Sequence, residues 1–249
     1  MPNSSPIELV KTGISGLDAM LYGGIPAMNQ VILAGGPGAG KTLLAFEFLY
    51  RNAKAGNTSV FFALEETTDR VIANAKAAFG EFKDIDDLIK SKKLVIDGED
   101  PSIALRSASG STTTQYEFGK VVSDIESVVS STGATRVVID SLSLFDMLIS
   151  DPISYRRSIL ALSSNLRRMG VTSLLTSEMR SPERKKLTFK TEYFVFDGII
   201  VMYETGVDEK RMLGMEVIKM RGSRHSFITT PYEITPKGFN VTSAEEMNL

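Results

Sequence analysis

The sequence contains no cysteine, no tryptophan and only one histidine. Without cysteine it can form no disulfide, no thiolate metal site and no cysteine nucleophile, and one histidine excludes a metal site built from several imidazole rings. No apolar run approaches the roughly 18 residues of a membrane span, and the N-terminal residues lack the apolar core of a signal peptide. We therefore expect a cytoplasmic protein with no membrane partner.

An excess of either charge is also absent. Lysine and arginine number 28, aspartate and glutamate number 30, and the net charge is −2. A protein whose whole surface binds nucleic acid is usually basic, so any such contact here requires a local patch. The 249 residues, 43% of them apolar, favour one globular domain over 1–249, with a lead at 1–10 and a frayed tail at 243–249. Two small domains are the alternative, although no shift in composition marks a boundary.

Strand-like and helix-like segments alternate along most of the chain. Runs of consecutive apolar residues, typical of strands buried on both faces, occur at 30–34, 59–64, 94–96, 136–139 and 171–175. Apolar residues at helical spacing occupy 42–55, 67–79, 118–129 and 154–169. This order predicts an α/β fold with a parallel sheet and helices on both faces.

The last part of the chain lacks this alternation. Strand-like segments at 195–203, 213–220 and 226–234 follow one another with short polar turns and no helix between them. We predict antiparallel hairpins that extend one edge of the sheet.

A glycine-rich motif separates the first predicted strand from the first predicted helix. Its residues fit the pattern G-x-x-x-x-G-K-[ST] and are Gly35, Gly36, Pro37, Gly38, Ala39, Gly40, Lys41 and Thr42. The backbone N–H groups of such a loop and the N-terminus of the following helix bind phosphate. Lys41 can reach the β and γ phosphates of a nucleotide, and Thr42 can supply a hydroxyl ligand to Mg²⁺. A glycine-rich turn that binds nothing is the alternative.

Carboxylates follow two other predicted strands. Asp140 ends the strand that begins at residue 136, where it can hold the Mg²⁺ shell through water; the alternative is an aspartate that only begins a turn. Glu65 and Glu66 end the strand that begins at residue 59. We expect one of them to activate water for hydrolysis and the other to support it. The alternative is that both are solvated, one of them beside the N-terminus of the next helix.

Several further motifs resemble the RecA-superfamily ATPases of the KaiC-like and RadA-like branch. The segments TGISGLD at 12–18 and GGIP at 23–26 precede the phosphate loop, TSE at 176–178 follows a strand, and KMRGSRH occupies 219–225. The resemblance covers residues 9–241. It implies a RecA-like P-loop NTPase core that binds ATP and Mg²⁺, hydrolyses ATP slowly when alone, and self-associates into a ring.

The resemblance also implies roles for individual residues. Glu65 or Glu66 would activate water, Lys41 and Thr42 would bind phosphate and Mg²⁺, and Asp140 would be the second metal-site acid. Ser177 or Glu178 would sense the γ-phosphate. In ring-forming relatives, the residues matching Lys219 and Arg221 reach the ATP of the neighbouring subunit. His225 belongs to the same run and would also be a nucleotide-binding residue; the alternative is an ordinary surface or partly buried histidine. For the whole run, the alternative is a basic turn between two strands.

The chain also departs from these relatives. It has one ATPase module, no assignable counterpart of the autophosphorylated Ser-Thr pair of the clock protein KaiC, and only about ten residues before the shared segment. We therefore expect neither a clock function nor the strand-exchange filament of the full RadA recombinases. A single-domain archaeal RadA paralogue or a KaiC-like protein fits best.

The segment RSPERKKLTFK at 180–190 carries a net charge of +4. Its basic residues, which could neutralise the phosphates of single-stranded DNA, are Arg180, Arg184, Lys185, Lys186 and Lys190. Phe189 or Tyr193 could stack on bases. We predict a role in DNA recombination or repair, with single-stranded DNA or recombinase proteins as partners. For the segment, the alternative is a solvated basic loop that binds no DNA. For the protein, the alternatives are a regulatory ATPase with a protein partner and a nucleotide-gated binding module without hydrolysis.

Overall fold

The computed structural model describes residues 7–98, 113–149, 151–179, 181, 183–184, 189–204 and 212–242. Three of the predicted DNA-binding residues, Arg180, Lys185 and Lys186, lie outside this part of the chain, as do residues 1–6 of the predicted lead and the whole predicted tail.

The described strands form a two-stranded ribbon and a nine-stranded sheet. The ribbon pairs β1 (Leu9–Val10) with β2 (Ile25–Pro26). The sheet contains β3 (Gln30–Gly35), β4 (Ser59–Ala63), β5 (Leu94–Asp97), β6 (Arg136–Asp140), β7 (Thr172–Glu178), β8 (Gly198–Glu204), β9 (Leu213–Met220), β10 (Thr230–Thr235) and β11 (Gly238–Val241). Its order is β11-β10-β9-β8-β3-β7-β6-β4-β5.

The described helices connect or cover these strands. They are α1 (Ser15–Met20), α2 (Lys41–Lys54), α3 (Thr68–Ala78), α4 (Ile85–Lys90), α5 (Thr113–Thr132), α6 (Ser143–Leu148) and α7 (Pro152–Arg168), followed by a 3₁₀ turn at Thr191–Phe194. The four predicted helices correspond to α2, α3, α5 and α7. No helix in the described ranges combines the length and the apolar character needed to cross a bilayer.

The predicted fold class is confirmed. Six strands, β8, β3, β7, β6, β4 and β5, run parallel, and β9, β10 and β11 continue the sheet as antiparallel strands. The predicted strand at 226–234 begins only at Thr230. Its first part is instead tied to α1, because the Ser226 N–H donates to the Met20 carbonyl at 2.8 Å.

Both faces of the sheet are buried, which explains the uninterrupted apolar runs. Val31 and Leu33 of β3 pack into a cluster with α2, whereas Ile32 and Ala34 pack into a second cluster with α5 and α7. Burial of a valine, leucine or isoleucine side chain contributes about 1.5–3 kcal/mol. The two clusters cover the two faces of the sheet. The carboxyl ends of its parallel strands lie at one edge.

Strand register places the predicted chemistry at that edge. Gly35, which opens the phosphate loop, pairs with Glu178 of β7. Ala63, two residues before Glu65, pairs with Asp140 of β6. The motifs are far apart in the sequence, but they meet because parallel strands present their carboxyl ends on the same side.

Candidate active site

The phosphate loop joins the end of β3 to the start of α2 and depends on glycine at defined positions. Gly38 and Gly40 have φ angles of 76° and 87°, a left-handed conformation that glycine adopts without strain. A Cβ atom on Gly40 would also lie 2.7 Å from the Ile234 side chain. No side chain caps the N-terminus of α2, so its N–H groups are available to an anion.

The Lys41 side chain folds back over the loop. Its Nζ donates to the Gly36 carbonyl oxygen at 3.1 Å. Burial lowers the pKa of Lys41, while the negative charges of Glu178, Asp140 and Glu65 act in the opposite direction. The ammonium group therefore lies within electrostatic reach of all three carboxylates.

Thr42 and Asp140 meet through a direct hydrogen bond. The Thr42 hydroxyl donates to Asp140 Oδ2 at 2.9 Å, and the Thr176 hydroxyl donates to Oδ1. Asp140 is 8% exposed, and its burial raises its pKa against the effect of these two hydrogen bonds. A hydroxyl and a carboxylate oxygen side by side are ligands that suit Mg²⁺, so the donor set fits the metal predicted from the sequence.

Glu65 is held beside this pair by the residue that follows Asp140. The Ser141 hydroxyl donates to Glu65 Oε1 at 2.6 Å and accepts a hydrogen bond from the Ser143 N–H at 3.1 Å. Loss of solvent raises the pKa of Glu65, the hydrogen bond from Ser141 lowers it, and the charges of Asp140 and Glu178 raise it further. A carboxylate with a raised pKa is a better proton acceptor near neutral pH.

The Glu66 carboxylate contacts the helix that follows it in the chain, α3. Its Oε2 accepts a hydrogen bond from Asn74 Nδ2 at 3.1 Å and lies 3.6 Å from Arg70 Nε. Both partners belong to α3. The two neighbouring acids therefore differ in surroundings, with Glu65 beside the loop and Glu66 tied to a helix surface.

The two candidates for sensing the γ-phosphate also differ. Ser177 is 1% exposed, and its hydroxyl accepts a hydrogen bond from Tyr193 at 2.8 Å. Glu178 is exposed at the end of β7, level with Gly35. Of the two, Glu178 is the residue whose side chain is open to a ligand at the loop.

Lys219 and Arg221 lie away from the phosphate loop. Lys219 pairs with Ile199, three residues along β8 from the position level with Gly35, which is about 10 Å along the sheet. Lys219 Nζ donates to the Phe196 carbonyl at 2.5 Å, and burial lowers its pKa. Arg221 Nη1 lies 3.6 Å from Asp197 Oδ1.

His225 lies in the same basic run, and its contacts are local. Its ring packs on Phe227, with ring centroids 4.7 Å apart, and its Nδ1 lies 3.0 Å from the Ser226 carbonyl oxygen. Within the described part of the chain, the structure does not bring Lys219, Arg221 or His225 to the Lys41 side chain.

The two described basic residues of the predicted DNA loop are engaged in ion pairs. Arg184 Nε lies 3.0 Å from Glu216 Oε2, and Lys190 pairs with Asp146. Phe189 is partly exposed, but Tyr193 is fully buried. The prediction that Tyr193 could stack on a base is therefore wrong, because the 3₁₀ turn directs its ring into the core.

The site also contains residues that sequence reasoning missed. Ser141 donates to Glu65 and Thr176 donates to Asp140. Ser141 was signalled only by its position after a predicted strand end. Thr176 belongs to the TSE motif, but no role was predicted for it. Tyr232 donates a hydrogen bond to the Ala39 carbonyl at 2.6 Å. That contact joins residues 193 positions apart, and no local pattern pointed to it.

A phosphate loop after a central parallel strand, with acids on the neighbouring strand ends, defines a RecA-like P-loop NTPase fold. The sequence model described as "ATPase: KaiC" matches residues 10–246. The chain belongs to this KaiC ATPase family.

The chain is similar to several known proteins, some over their whole length and some over about half of it. A UPF0273 protein from Aeropyrum pernix is 34% identical over 94% of each chain. The circadian clock protein KaiC3 from Synechocystis is 30% identical, and the chain spans 45% of its length. The crystal structure of a KaiC-like protein from Pyrococcus horikoshii OT3 superposes with a TM-score of 0.79, 30% identity, and coverage of 95% of this chain and all of that one.

Proposed function

We propose that the chain binds Mg-ATP at the loop 35–42 and hydrolyses it, with Glu65 as the residue that activates water. One observation carries the proposal: Asp140 and Ser141, adjacent in the chain, contact Thr42 of the loop and Glu65 respectively. These two contacts bring the proposed metal-site acid and the proposed base together at the edge of the sheet, which supports the proposal. Membership of an ATPase family supports the same reaction.

Each residue has a defined task in this proposal. Lys41 and the N–H groups of the loop bind the β and γ phosphates, while Thr42 and Asp140 hold Mg²⁺, which would neutralise charge on the phosphate oxygens. Glu65 accepts a proton from the attacking water. The water oxygen forms a bond to the γ-phosphorus, the bond from that phosphorus to the bridging oxygen breaks, and ADP leaves. Glu178 is positioned to respond to the γ-phosphate.

Full turnover in this proposal requires a neighbouring subunit. Lys219 lies about 10 Å along the sheet from the level of Gly35, on a strand two away from β3. Arg221 follows the end of that strand, further from the same level. They are therefore badly placed to reach ATP on their own loop, and we propose that they act on the ATP of an adjacent copy. An isolated chain then hydrolyses slowly, because it lacks the cations that stabilise the transition state.

For the cellular role, we propose a regulatory ATPase that acts on a protein partner rather than on DNA. Two observations favour this choice. Arg184 and Lys190 are paired with Glu216 and Asp146, and Tyr193 is buried. A role in DNA recombination or repair through single-stranded DNA stays a prediction that binding experiments can test.

The experiment is phosphate release from ATP with and without Mg²⁺, over a range of protein concentrations. We expect slow, Mg²⁺-dependent release that rises per subunit as concentration rises. Lys41→Ala, which removes the phosphate ligand, serves as the control for a contaminating activity. If the wild type and Lys41→Ala release phosphate at the same rate, the proposed activity is wrong.

A further inference from the structure

The C-terminal hairpin β10–β11 packs against the phosphate loop. Tyr232 of β10 is 2% exposed, as is Ala39 of the loop, and the tyrosine hydroxyl donates to the Ala39 carbonyl oxygen at 2.6 Å. Removal of one partner of a buried hydrogen bond leaves the other unsatisfied. The contact therefore constrains the loop as well as the hairpin.

The hydrogen bond fixes the direction of one peptide group of the loop. The peptide bond between Ala39 and Gly40 is trans, so its carbonyl and its N–H point in opposite directions. Because the carbonyl points to Tyr232, the Gly40 N–H points away from the hairpin. A bound phosphate requires this arrangement, since it attracts N–H groups and repels carbonyl oxygens.

Packing holds the tyrosine ring in place. The Tyr232 and Phe239 rings lie 5.6 Å apart between centroids. A Cβ atom on Gly40 would lie 2.7 Å from Ile234 and 3.2 Å from the Phe239 ring. The hairpin thus approaches the loop closely at the left-handed glycine.

A second contact fixes the hairpin to the helix that follows the loop. Glu47 of α2 is fully buried, and its Oε2 accepts a hydrogen bond from the Phe239 N–H at 2.7 Å. A Cβ atom on Gly238 would lie 2.1 Å from Glu47 Oε1. The hairpin is therefore held at two points, one on the loop and one on α2.

We propose that Tyr232 is a positioning residue for nucleotide binding: its hydroxyl turns the Ala39 carbonyl away from the phosphate and so presents the Gly40 N–H to it. This inference rests on the proposed function only in that the loop binds a nucleotide. Because Tyr232 contacts the loop at Ala39 and not the proposed base Glu65, we expect the effect on affinity for ADP and ATP alike and not on the chemical step.

The test is Tyr232→Phe, which keeps the ring and removes the hydroxyl. We expect the Kd for Mg-ADP and the KM for ATP to rise about tenfold, with kcat little changed. The matched control is Tyr203→Phe, since the Tyr203 hydroxyl donates to Glu216 at 3.0 Å and lies 2.8 Å from the Thr229 hydroxyl, and neither partner belongs to the loop 35–42. It should alter thermal stability but leave the Kd for Mg-ADP at the wild-type value.

The outcomes separate this inference from the proposed activity. A folded Tyr232→Phe variant that binds Mg-ADP as tightly as the wild type overturns the inference, even if ATP hydrolysis is intact. If the wild type binds Mg-ADP but releases no phosphate from ATP, the proposed activity fails and the Kd comparison still decides the inference. If the wild type does not bind Mg-ADP, both are wrong.

A second measurement uses the wild type alone and does not depend on the folding of a variant. Hydrogen exchange is measured with and without saturating Mg-ADP. The inference predicts added protection at 230–235 that accompanies protection at 35–42, because the two segments are ordered together. Protection of the loop with unchanged exchange of the hairpin would contradict it.

Discussion

Ser141 donates a 2.6 Å hydrogen bond to Glu65, and this contact distinguishes Glu65 from the acid beside it. The serine is 2% exposed and directly follows Asp140, which contacts the phosphate loop. The position of Asp140, the proposed metal-site acid, therefore constrains the position of Glu65, the proposed base, through the adjacent Ser141. Loss of this hydroxyl should affect the chemical step more than nucleotide binding.

We expect Ser141→Ala to lower kcat about threefold to tenfold with a smaller change in KM for ATP, because Glu65 loses its fixed orientation. Steady-state phosphate release measures both constants. The control is Ser163→Ala, which removes a buried hydroxyl that donates to Gln30 at 3.1 Å, remote from the loop. Equal losses of kcat in the two variants would show that the effect is general and not positional.

The buried Glu47 predicts a pH dependence of stability. Burial raises its pKa from 4.5, although the Phe239 N–H and Arg51 act against this shift. An acid whose pKa is raised in the folded state binds more protons there than in the unfolded state, so its contribution to stability falls as pH rises from about 4.5 towards the raised value. Glutamine does not ionise, so the Glu47→Gln variant does not lose this contribution to stability as pH rises.

We therefore expect the free energy of unfolding of Glu47→Gln, relative to the wild type, to increase between about pH 4 and pH 7. Denaturant unfolding of both proteins across this range measures the difference. The single substitution also weakens the contact with Phe239, so the sign of the trend with pH, and not the value at one pH, is the test. A constant difference across the range would contradict the account of Glu47.

The separation of Lys219 and Arg221 from the loop predicts complementation between two inactive variants. Glu65→Gln keeps Lys219 and Arg221 but lacks the carboxylate that activates water. The double variant Lys219→Ala with Arg221→Ala keeps that carboxylate but lacks the two cations. A mixture forms interfaces at which both functions are present, so phosphate release should exceed the sum of the separate rates. Arg224→Ala, in the same basic run, should need no complementation. A mixture that co-assembles without any gain would exclude action across subunits.

Ion pairing in the predicted DNA loop leads to a prediction about the affinity of the protein for single-stranded DNA. Arg184 and Lys190 already have acidic partners, Glu216 and Asp146, so we expect the double variant Arg184→Glu with Lys190→Glu to leave DNA affinity unchanged. Fluorescence anisotropy across a salt titration measures it, with and without Mg-ATP. Tight binding that weakens steeply with salt and is lost in this variant would reinstate the DNA interface.

Much of the fold could be predicted because its signals are local. Apolar runs buried on both faces produced β3 to β7 within a few residues, and the G-x-x-x-x-G-K-[ST] spacing located the turn between β3 and α2. The C-terminal hairpin was predicted less well. Pairing of Tyr232 with Val241 depends on a turn at 236–237 within a polar segment, where the pattern indicated no second strand.

The site was predictable as a set of positions but not as a set of contacts. Glu65 and Glu66 are adjacent acids with the same local sequence context, and only tertiary partners distinguish them: Ser141 for the first, Asn74 and Arg70 for the second. The inward turn of Tyr193 has the same origin. A tyrosine beside a basic segment suggests exposure, yet packing places it in the core.

The most direct test of the central claim is ATP hydrolysis by Glu65→Gln and Glu66→Gln, measured beside Mg-ADP affinity. Both changes are isosteric and remove one negative charge from neighbouring positions, so each controls for the other. If Glu65 activates water, Glu65→Gln should lose at least about a hundredfold in kcat while binding Mg-ADP normally, and Glu66→Gln should retain most of its activity. A larger loss of kcat in Glu66→Gln than in Glu65→Gln would contradict the assignment.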